Sequence, residues 1–453
     1  MTKILELTNG FIWGVPALML ILGVGMYLSV CAGFPQVFLL KESFHRFFSA
    51  MRGKQGSYRS LCTALAATVG TGNLVGVAGA ICIGGPGSIF WMWICGVVGM
   101  ATKFAEATLA VHYRVATADG YRGGPMYMIT RGMGEKFRWL GMLYCSLGVV
   151  ASFGVGNAAQ INAVVSGING MVQKDLSLPL GIGLAIVIGT MLFGGAGRIG
   201  RTTEILVPFL SAGYIILCIG ALMIRCDALP SAVASIFQGA FRPGAVTGGI
   251  IGSCFRCLRV GCARGVFTNE AGMGTASIAH GGSDAAHPVE QGLMGIMEVF
   301  LDTIVICTLT ALVILCSGVP VPYGKDVGGL LTTRAFTVVY GGWAELFINA
   351  SLCCFAFATV LGWGLYGGRC AEFLFGNRGW YWFSAAQTGM VLVGAMGETE
   401  QVWLLAETLN GLMAVPNLIM LAVLSPTLHR LTIDYKRKSG HKKPVEVRYA
   451  DFH

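Results

Sequence analysis

The chain has 453 residues, 31 Lys and Arg against 22 Asp and Glu, and a formal net charge of +9. It is 55% hydrophobic and only 12% charged, with a mean hydropathy of +0.69, whereas soluble domains carry about 25% charged residues. These values exclude a soluble enzyme and indicate a polytopic membrane protein. The surplus positive charge lies in loops beside apolar runs, where it sets topology and meets anionic lipid rather than nucleic acid.

In chain order, runs long enough to cross a bilayer predict eleven helices. They cover roughly 11–40, 57–83, 88–113, 140–170, 179–197, 203–224, 245–280 (interrupted), 291–317, 346–368, 380–396 and 401–425. The first run is too long for a signal-peptide core and lacks a cleavage pattern. If 41–59 is cytoplasmic, the inside segments carry 21 Lys and Arg against six outside. That bias places the amino terminus outside and the carboxyl terminus in the cytoplasm of a plasma-membrane protein. Setting the 11–40 helix aside, the rest of this single transmembrane domain (1–453) divides into two five-helix repeats, 57–224 and 245–425. A basic tail occupies 426–453.

Two of the predicted helices are broken. Thr68-Val69-Gly70-Thr71-Gly72-Asn73 interrupts the first helix of one half, and Phe267-Thr268-Asn269-Glu270-Ala271-Gly272-Met273-Gly274-Thr275 the first helix of the other. Broken backbone inside a membrane is tolerated only where protein or a water-filled cavity satisfies its polar groups. Paired breaks at corresponding positions point to the site of an inverted-repeat transporter. Glycine at Gly70 and Gly72 also suits tight helix crossing.

The fifteen cysteines are scattered singly and read as reduced packing residues. Cys254-x-x-Cys257 with Cys262 has no second ligand pair at zinc spacing, so no structural metal is expected. No Walker, dinucleotide-binding or H-E-x-x-H pattern is present.

Several long blocks resemble the alanine or glycine:cation symporter family. They are GTGNLVGVAGAICIGGPGSIFWMW with GMATKFAEATLAVHYR (70–114), GNAAQINAV (156–164) and RGVFTNEAGMGTASIAH (264–280). MEVFLDTIVICTLTALVIL (297–315), FAFATVLGWGLYGGRCAEFLFG (355–376) and AETLNGLMAVPNLI (406–419) continue the match. The resemblance implies an all-α, LeuT-type five-plus-five inverted repeat with an extra amino-terminal helix. It implies symport of small neutral amino acids, alanine or glycine, with Na+ as coupling ion and no organic cofactor. No obligate protein partner is inferred. Local departures stand at Thr268, Ser277, Ala358 and the Gly364-Leu365 pair; the loss of a serine at Ala358 removes one candidate sodium ligand.

For such a substrate, backbone amides of Thr71, Gly72 and Asn73 at a half-helix amino end would hold the carboxylate, with Gly70 and Gly72 permitting close approach. Carbonyls around Phe267, Thr268 and Asn269, with the Asn269 side chain and the Gly272 turn, would receive the ammonium. Gln160 resembles the substrate-facing glutamine of the family's GNxxQ motif, and Trp363 would cap the small side chain. By the same resemblance, carbonyls of Ala66 and Val69, the Thr359 hydroxyl and a carbonyl at Phe355 or Ala356 would bind sodium through the all-oxygen shell that hard cations prefer.

Charges within spans read separately. Asp302 belongs either to an ion or proton path or to a pair with Arg259 or Arg264. Lys103 and Glu106 read as an i,i+3 pair, Glu270 as a residue that fixes the second break, and Glu407 and Asn410 as packing or gate groups. The alternatives to a sodium symporter are a proton-coupled carrier, with Asp302 or Glu298 as proton site, or a channel or receptor.

Overall fold

The computed structural model describes residues 14–53, 56–118, 120–325, 327–397 and 399–438; the side chains of Val15, 399–407 and 409 are outside the described groups. Glu407 and the tail beyond 438 therefore lie outside them too. Almost every described residue is helical, because apolar runs without water must satisfy backbone groups within each segment.

The first helix, α1 (Val15–Cys31), is apolar on all sides and ends at the left-handed pair Gly33 and Phe34. The expected 11–40 span is thus cut at Cys31. Beyond that turn lies an amphipathic helix, α2 (Leu40–Gly53), with Ser43 and Ala50 buried and Phe48 and Met51 exposed, a pattern that suits the membrane interface.

Two straight stretches, α3 (Gly56–Thr68) and the segment Gly72–Gly84, meet at a 50° bend. The second stretch begins as a π-turn over Gly72–Gly76 and continues as α4 (Val77–Gly84). Next come α5 (Ser88–His112), a short hairpin pairing Val115–Thr117 with Gly120–Arg122, and α6 (Arg138–Phe153). A π-turn over Gly154–Ala158 joins α6 to α7 (Ala159–Val172). The first half closes with α8 (Ser177–Phe193) and α9 (Gly195–Ile224).

The second half begins with α11 (Cys254–Asn269) and α12 (Thr275–His280), preceded by α10 (Leu229–Phe241). Residues 245–253 of the expected span are not helical beyond Val246; Ser253 instead caps α11 by accepting from the Arg256 amide. Then come α13 (Pro288–Val299), a π-segment (Phe300–Cys307), α14 (Thr308–Cys316), α15 (Leu330–Tyr340) and α16 (Trp343–Phe375). The chain finishes with α17 (Arg378–Met396) and α18 (Thr399–Lys438). Helices α2, α10 and α15 were not among the expected elements, since each is too short or too amphipathic to be found by a search for membrane spans.

Among the described residues, six continuous helical stretches are long and apolar enough to cross a bilayer, and the bent α3–α4 pair makes a seventh. The halves interlock pairwise: α5 packs on α13, α8 on α17, and α6 on α16, while α1 rests on α5 and α18. Helices α3 and α5 are largely enclosed, with every residue of α3 from Ser57 onward buried except Arg59. By contrast, α9 presents Ile205, Phe209, Ile216 and Met223 on one exposed stripe, each at least 70% exposed. An apolar stripe of that extent belongs against lipid.

Candidate functional site

The first break arises where Asn73 turns its side chain back on the chain. Its Oδ1 accepts from the Gly70 amide at 2.9 Å, and its own amide donates to the Gly70 carbonyl. In a continuous helix those two amides would bond the carbonyls of Ala66 and Val69. Both carbonyls are thereby taken out of the helical ladder. The bend falls at Val69–Gly70, and the Asn73 amide is engaged within it rather than presented with those of Thr71 and Gly72.

Directly opposite is α16. A β-carbon placed on Gly70 would lie 2.5 Å from Thr359 Oγ1, so only glycine allows this approach. The Thr359 hydroxyl is buried and has no hydrogen-bond partner among the described residues, a condition that normally costs about 1–3 kcal/mol. The carbonyls of Phe355 and Ala356 lie within uninterrupted helix, so each has only its second lone pair to offer. Ala66, Val69, Phe355, Ala356 and Thr359 are all buried. Together they offer oxygen ligands and no nitrogen or sulfur.

Gln160 reaches the same break from α7. Its Oε1 accepts from Thr71 Oγ1 at 2.9 Å, while Nε2 donates to the Val155 carbonyl across the π-turn. Gly72 packs against Thr268 of the second broken helix, where an added β-carbon would sit 3.2 Å from Thr268 Cγ2. The two breaks are therefore adjacent.

The second break begins one turn later than the sequence indicated. Phe267, Thr268 and Asn269 complete the last turn of α11, and the chain unwinds over Glu270–Gly274. Glu270 adopts a left-handed backbone (φ 53°), as do Gly272 and Gly274. The amides of Gly272 and Gly274 donate to Glu106 Oε1 at 3.1 and 3.0 Å, and Asn417 Nδ2 donates to the same oxygen at 2.7 Å. Gly272 thus faces α5 and α18.

Trp363 is fully buried; its indole donates to Glu270 Oε1 at 3.0 Å, and its ring fills the space left by Gly156. It braces the second break from beneath. Lys103 and Glu106 do not pair as their spacing suggested. Lys103 Nζ reaches Glu298 Oε1 at 2.8 Å, because α13 packs along α5 and brings a carboxylate into the membrane interior beside it.

Asp302 takes neither arginine as partner. Its Oδ1 accepts from Asn73 Nδ2 at 2.7 Å and its Oδ2 from Thr303 Oγ1 at 2.9 Å; Asn269 Nδ2 donates onward to Thr303 Oγ1. A single buried carboxylate on the Phe300–Cys307 π-segment therefore joins both breaks. The sequence signal for this role was an acidic residue in the middle of an apolar span, without any spacing that named its partners.

A cavity of about 760 Å³ reaches the two broken helices at Gly72 and Phe267. Its walls include Ser166, Arg264, Glu345 and Asn349, and its floor holds Gly72 and Phe267. Its lining includes no residue of the Lys- and Arg-rich loops at 41–59, 114–138, 198–201 and 369–378. At the opposite end the chain is closed: Asp284 accepts from the Gly56 and Ser57 amides, and Arg114 donates to the carbonyls of Ser283 and Ala285. Of the expected site residues, the cavity reaches Gly72 and Phe267. Gly70, Thr71, Asn73, Gln160, Thr268, Asn269 and Thr359 cluster around the breaks, while Gly272 and Trp363 support them from the closed side.

The family model described as the sodium:alanine symporter family matches residues 1–448. The chain is 39% identical over 435 residues to a sodium/alanine symporter of Methanococcus maripaludis, covering 93% of this chain and 94% of that one. It is 36% identical over 456 residues to a probable sodium/glutamine symporter of Bacillus subtilis, covering 98% and 94%. Among solved structures, MhsT in complex with L-phenylalanine superposes with a TM-score of 0.58 at 12% identity, covering 83% of this chain and 97% of MhsT. That likeness gives the LeuT-type fold. The chain belongs to the sodium:alanine symporter family, and it is a multi-pass membrane transporter rather than an enzyme.

Proposed function

We propose that the chain carries a small neutral amino acid, alanine or glycine, inward with sodium by alternating access. The observation that carries this reading is the oxygen cluster at the first break. Two carbonyls are taken out of their helix beside Gly70, which lies against a buried threonine hydroxyl that has no partner among the described residues. Such a set suits a desolvated hard cation. The coordination is proposed as Ala66, Val69 and Thr359, completed by Phe355 or Ala356.

One turn away, the Thr71 and Gly72 amides at the start of the second half-helix suit a carboxylate. The carbonyl end of α11 at Phe267–Asn269 suits an ammonium by the opposite sign of the helix dipole. Gly70, Asn73 and Gln160 hold this geometry, and the cavity floor at Gly72 and Phe267 is its entrance. Trp363 and Gly272 act on the substrate pocket through the second break.

With the basic loops in the cytoplasm of the plasma membrane, the cavity opens outside and the conformation is outward-facing. The division proposed is an extra helix within 11–40, repeats at 57–224 and 245–425, and a cytoplasmic tail. Inward movement of one positive charge gains about 2.3 kcal/mol per 100 mV, enough to drive accumulation.

The test is radiolabelled alanine uptake into proteoliposomes, with sodium, lithium or a proton gradient supplied in turn and unlabelled glycine or glutamine as competitor. Sodium-dependent uptake suppressed by glycine is expected. Uptake driven equally by a proton gradient without sodium overturns the coupling, and suppression by glutamine alone overturns the substrate.

A further inference from the structure

Beneath the second break lies a cluster of ionisable groups that the transport reading leaves unused. Glu106, Glu270, Glu298, Lys103 and His280 are each at most 2% exposed. Near Glu270 are Lys103 from α5, Glu298 from α13, Tyr144 from α6 and Tyr366 from α16, with Glu106 of α5 beside Lys103 and His280 of α12 against Glu298.

The hydrogen bonds assign most of the protons. Ser283 Oγ donates to Gln291 Oε1, which fixes the amide so that Gln291 Nε2 donates to His280 Nδ1 at 2.7 Å. Nδ1 is then an acceptor, and the imidazole is neutral with its proton on Nε2, donated to Glu298 Oε2 at 2.9 Å. Glu298 also receives Lys103, so those two charges cancel. Glu106 Oε1 accepts from three groups that are donors only, two backbone amides and the Asn417 side-chain amide. None of these three groups can accept a carboxyl proton. A proton on its Oε2 would find no acceptor among the described residues.

Glu270 differs in kind. Its Oε1 accepts from the Trp363 indole in either protonation state, whereas Oε2 faces Thr275 Oγ1 at 2.7 Å, a hydroxyl that both donates and accepts. The same heavy-atom geometry therefore holds a carboxylate or a carboxylic acid. Among the described residues neither Glu106 nor Glu270 forms an ion pair, and a second uncompensated charge in this interior would cost several kcal/mol.

We propose that Glu270 is a proton-binding site built into the second break, holding its proton on Oε2 against Thr275 while the cavity is open on the side away from the basic loops. When the closed side admits water, the O–H bond breaks and the proton passes to water. The electron pair stays on Oε2, and the Thr275 hydroxyl rotates to donate to it. Because Glu270 is the left-handed hinge of the break and holds Trp363, proton loss acts on the same elements that line the carrier's substrate region. The proposal rests on the carrier reading only for that consequence, not for the proton itself.

The test is infrared spectroscopy of the purified, reconstituted carrier at neutral pH, which reads protonation without transport. The wild type is expected to show a buried carboxylic-acid carbonyl band. Glu270→Gln removes one such component, and Thr275→Val moves it to higher frequency by taking away the acceptor. A wild-type spectrum without a carboxylic-acid band overturns the proposal, as does a component lost in Glu106→Gln instead. If Glu270→Gln does not assemble, the Thr275→Val shift decides, and its absence overturns the assignment.

Discussion

Asn73 donates its side-chain amide to the Asp302 carboxylate at 2.7 Å while accepting from the Gly70 amide through its oxygen. One side chain thus makes the first break and ties it to the π-segment after α13. Leaving a buried hydrogen-bonding group without its partner costs about 1–3 kcal/mol. Asn73→Ala should therefore return Gly70 to the helical ladder and lower alanine uptake by at least about tenfold, an effect of about 1.4 kcal/mol, at unchanged membrane abundance. Asp302→Ala should do the same from the other side. Uptake assays on both, with the double variant, check the link. Additive losses would show that the two residues act independently.

The orphaned Thr359 hydroxyl sets a second expectation. Thr359→Val keeps the shape and removes the oxygen, so the sodium concentration for half-maximal uptake should rise about tenfold, equivalent to about 1.4 kcal/mol. Thr359→Ser should stay close to wild type. The measurement is the sodium dependence of alanine uptake in proteoliposomes. An unchanged dependence in Thr359→Val removes this residue from the ion shell.

Gly70 tests the same place sterically. Its alanine variant would drive a methyl to 2.5 Å from Thr359 Oγ1, so Gly70→Ala should abolish sodium-dependent uptake. Gly213, inside α9 with no atom within 4 Å of an added β-carbon, is the control. Gly213→Ala should preserve uptake and raise thermal stability slightly, by up to about 1 kcal/mol. Uptake and detergent melting curves for the two variants separate helix propensity from the site.

The membrane class, the paired breaks and their helix context were legible because an apolar run interrupted by Gly and Asn has few physical explanations. Family resemblance added which oxygens around Thr359 to propose as ion ligands. What local sequence could not supply was partnership across the fold. Lys103 sits three residues from Glu106, yet its partner is Glu298, 195 positions on, because α13 packs along α5. Asp302 was visible as an anomaly, but its bond to Asn73 depends on a π-segment that brings two distant helices together. The resemblance suggests Trp363 as a cap on the substrate, but nothing near it in sequence indicates that its indole donates to Glu270. The boundaries of α1 and α11 moved for a simpler reason. Turn geometry at Gly33–Phe34 and capping by Ser253 override hydropathy at helix ends.

The closed end supplies the last prediction. Asp284, in the loop after α12, accepts from the first two amides of α3, at Gly56 and Ser57, and so caps the first broken helix with a carboxylate from the second. The loop is held in turn by Arg114 through the Ser283 and Ala285 carbonyls. Opening this end must separate Asp284 from α3, because the first and second broken helices cannot move apart while the cap persists. Removing a cap costs about 1 kcal/mol, which changes a two-state population by about fivefold. Asp284→Ala should therefore shift the carrier toward the conformation open on the basic side, with Asp284→Asn intermediate because one acceptor oxygen survives. The readout is alkylation of Cys62, which lies on α3 and is only 1% exposed in the closed state, quantified by peptide mass spectrometry. Faster labelling in Asp284→Ala, reversed by saturating sodium if the ion stabilises the closed conformation, is the expected result; equal labelling in wild type and variant would remove Asp284 from the gate.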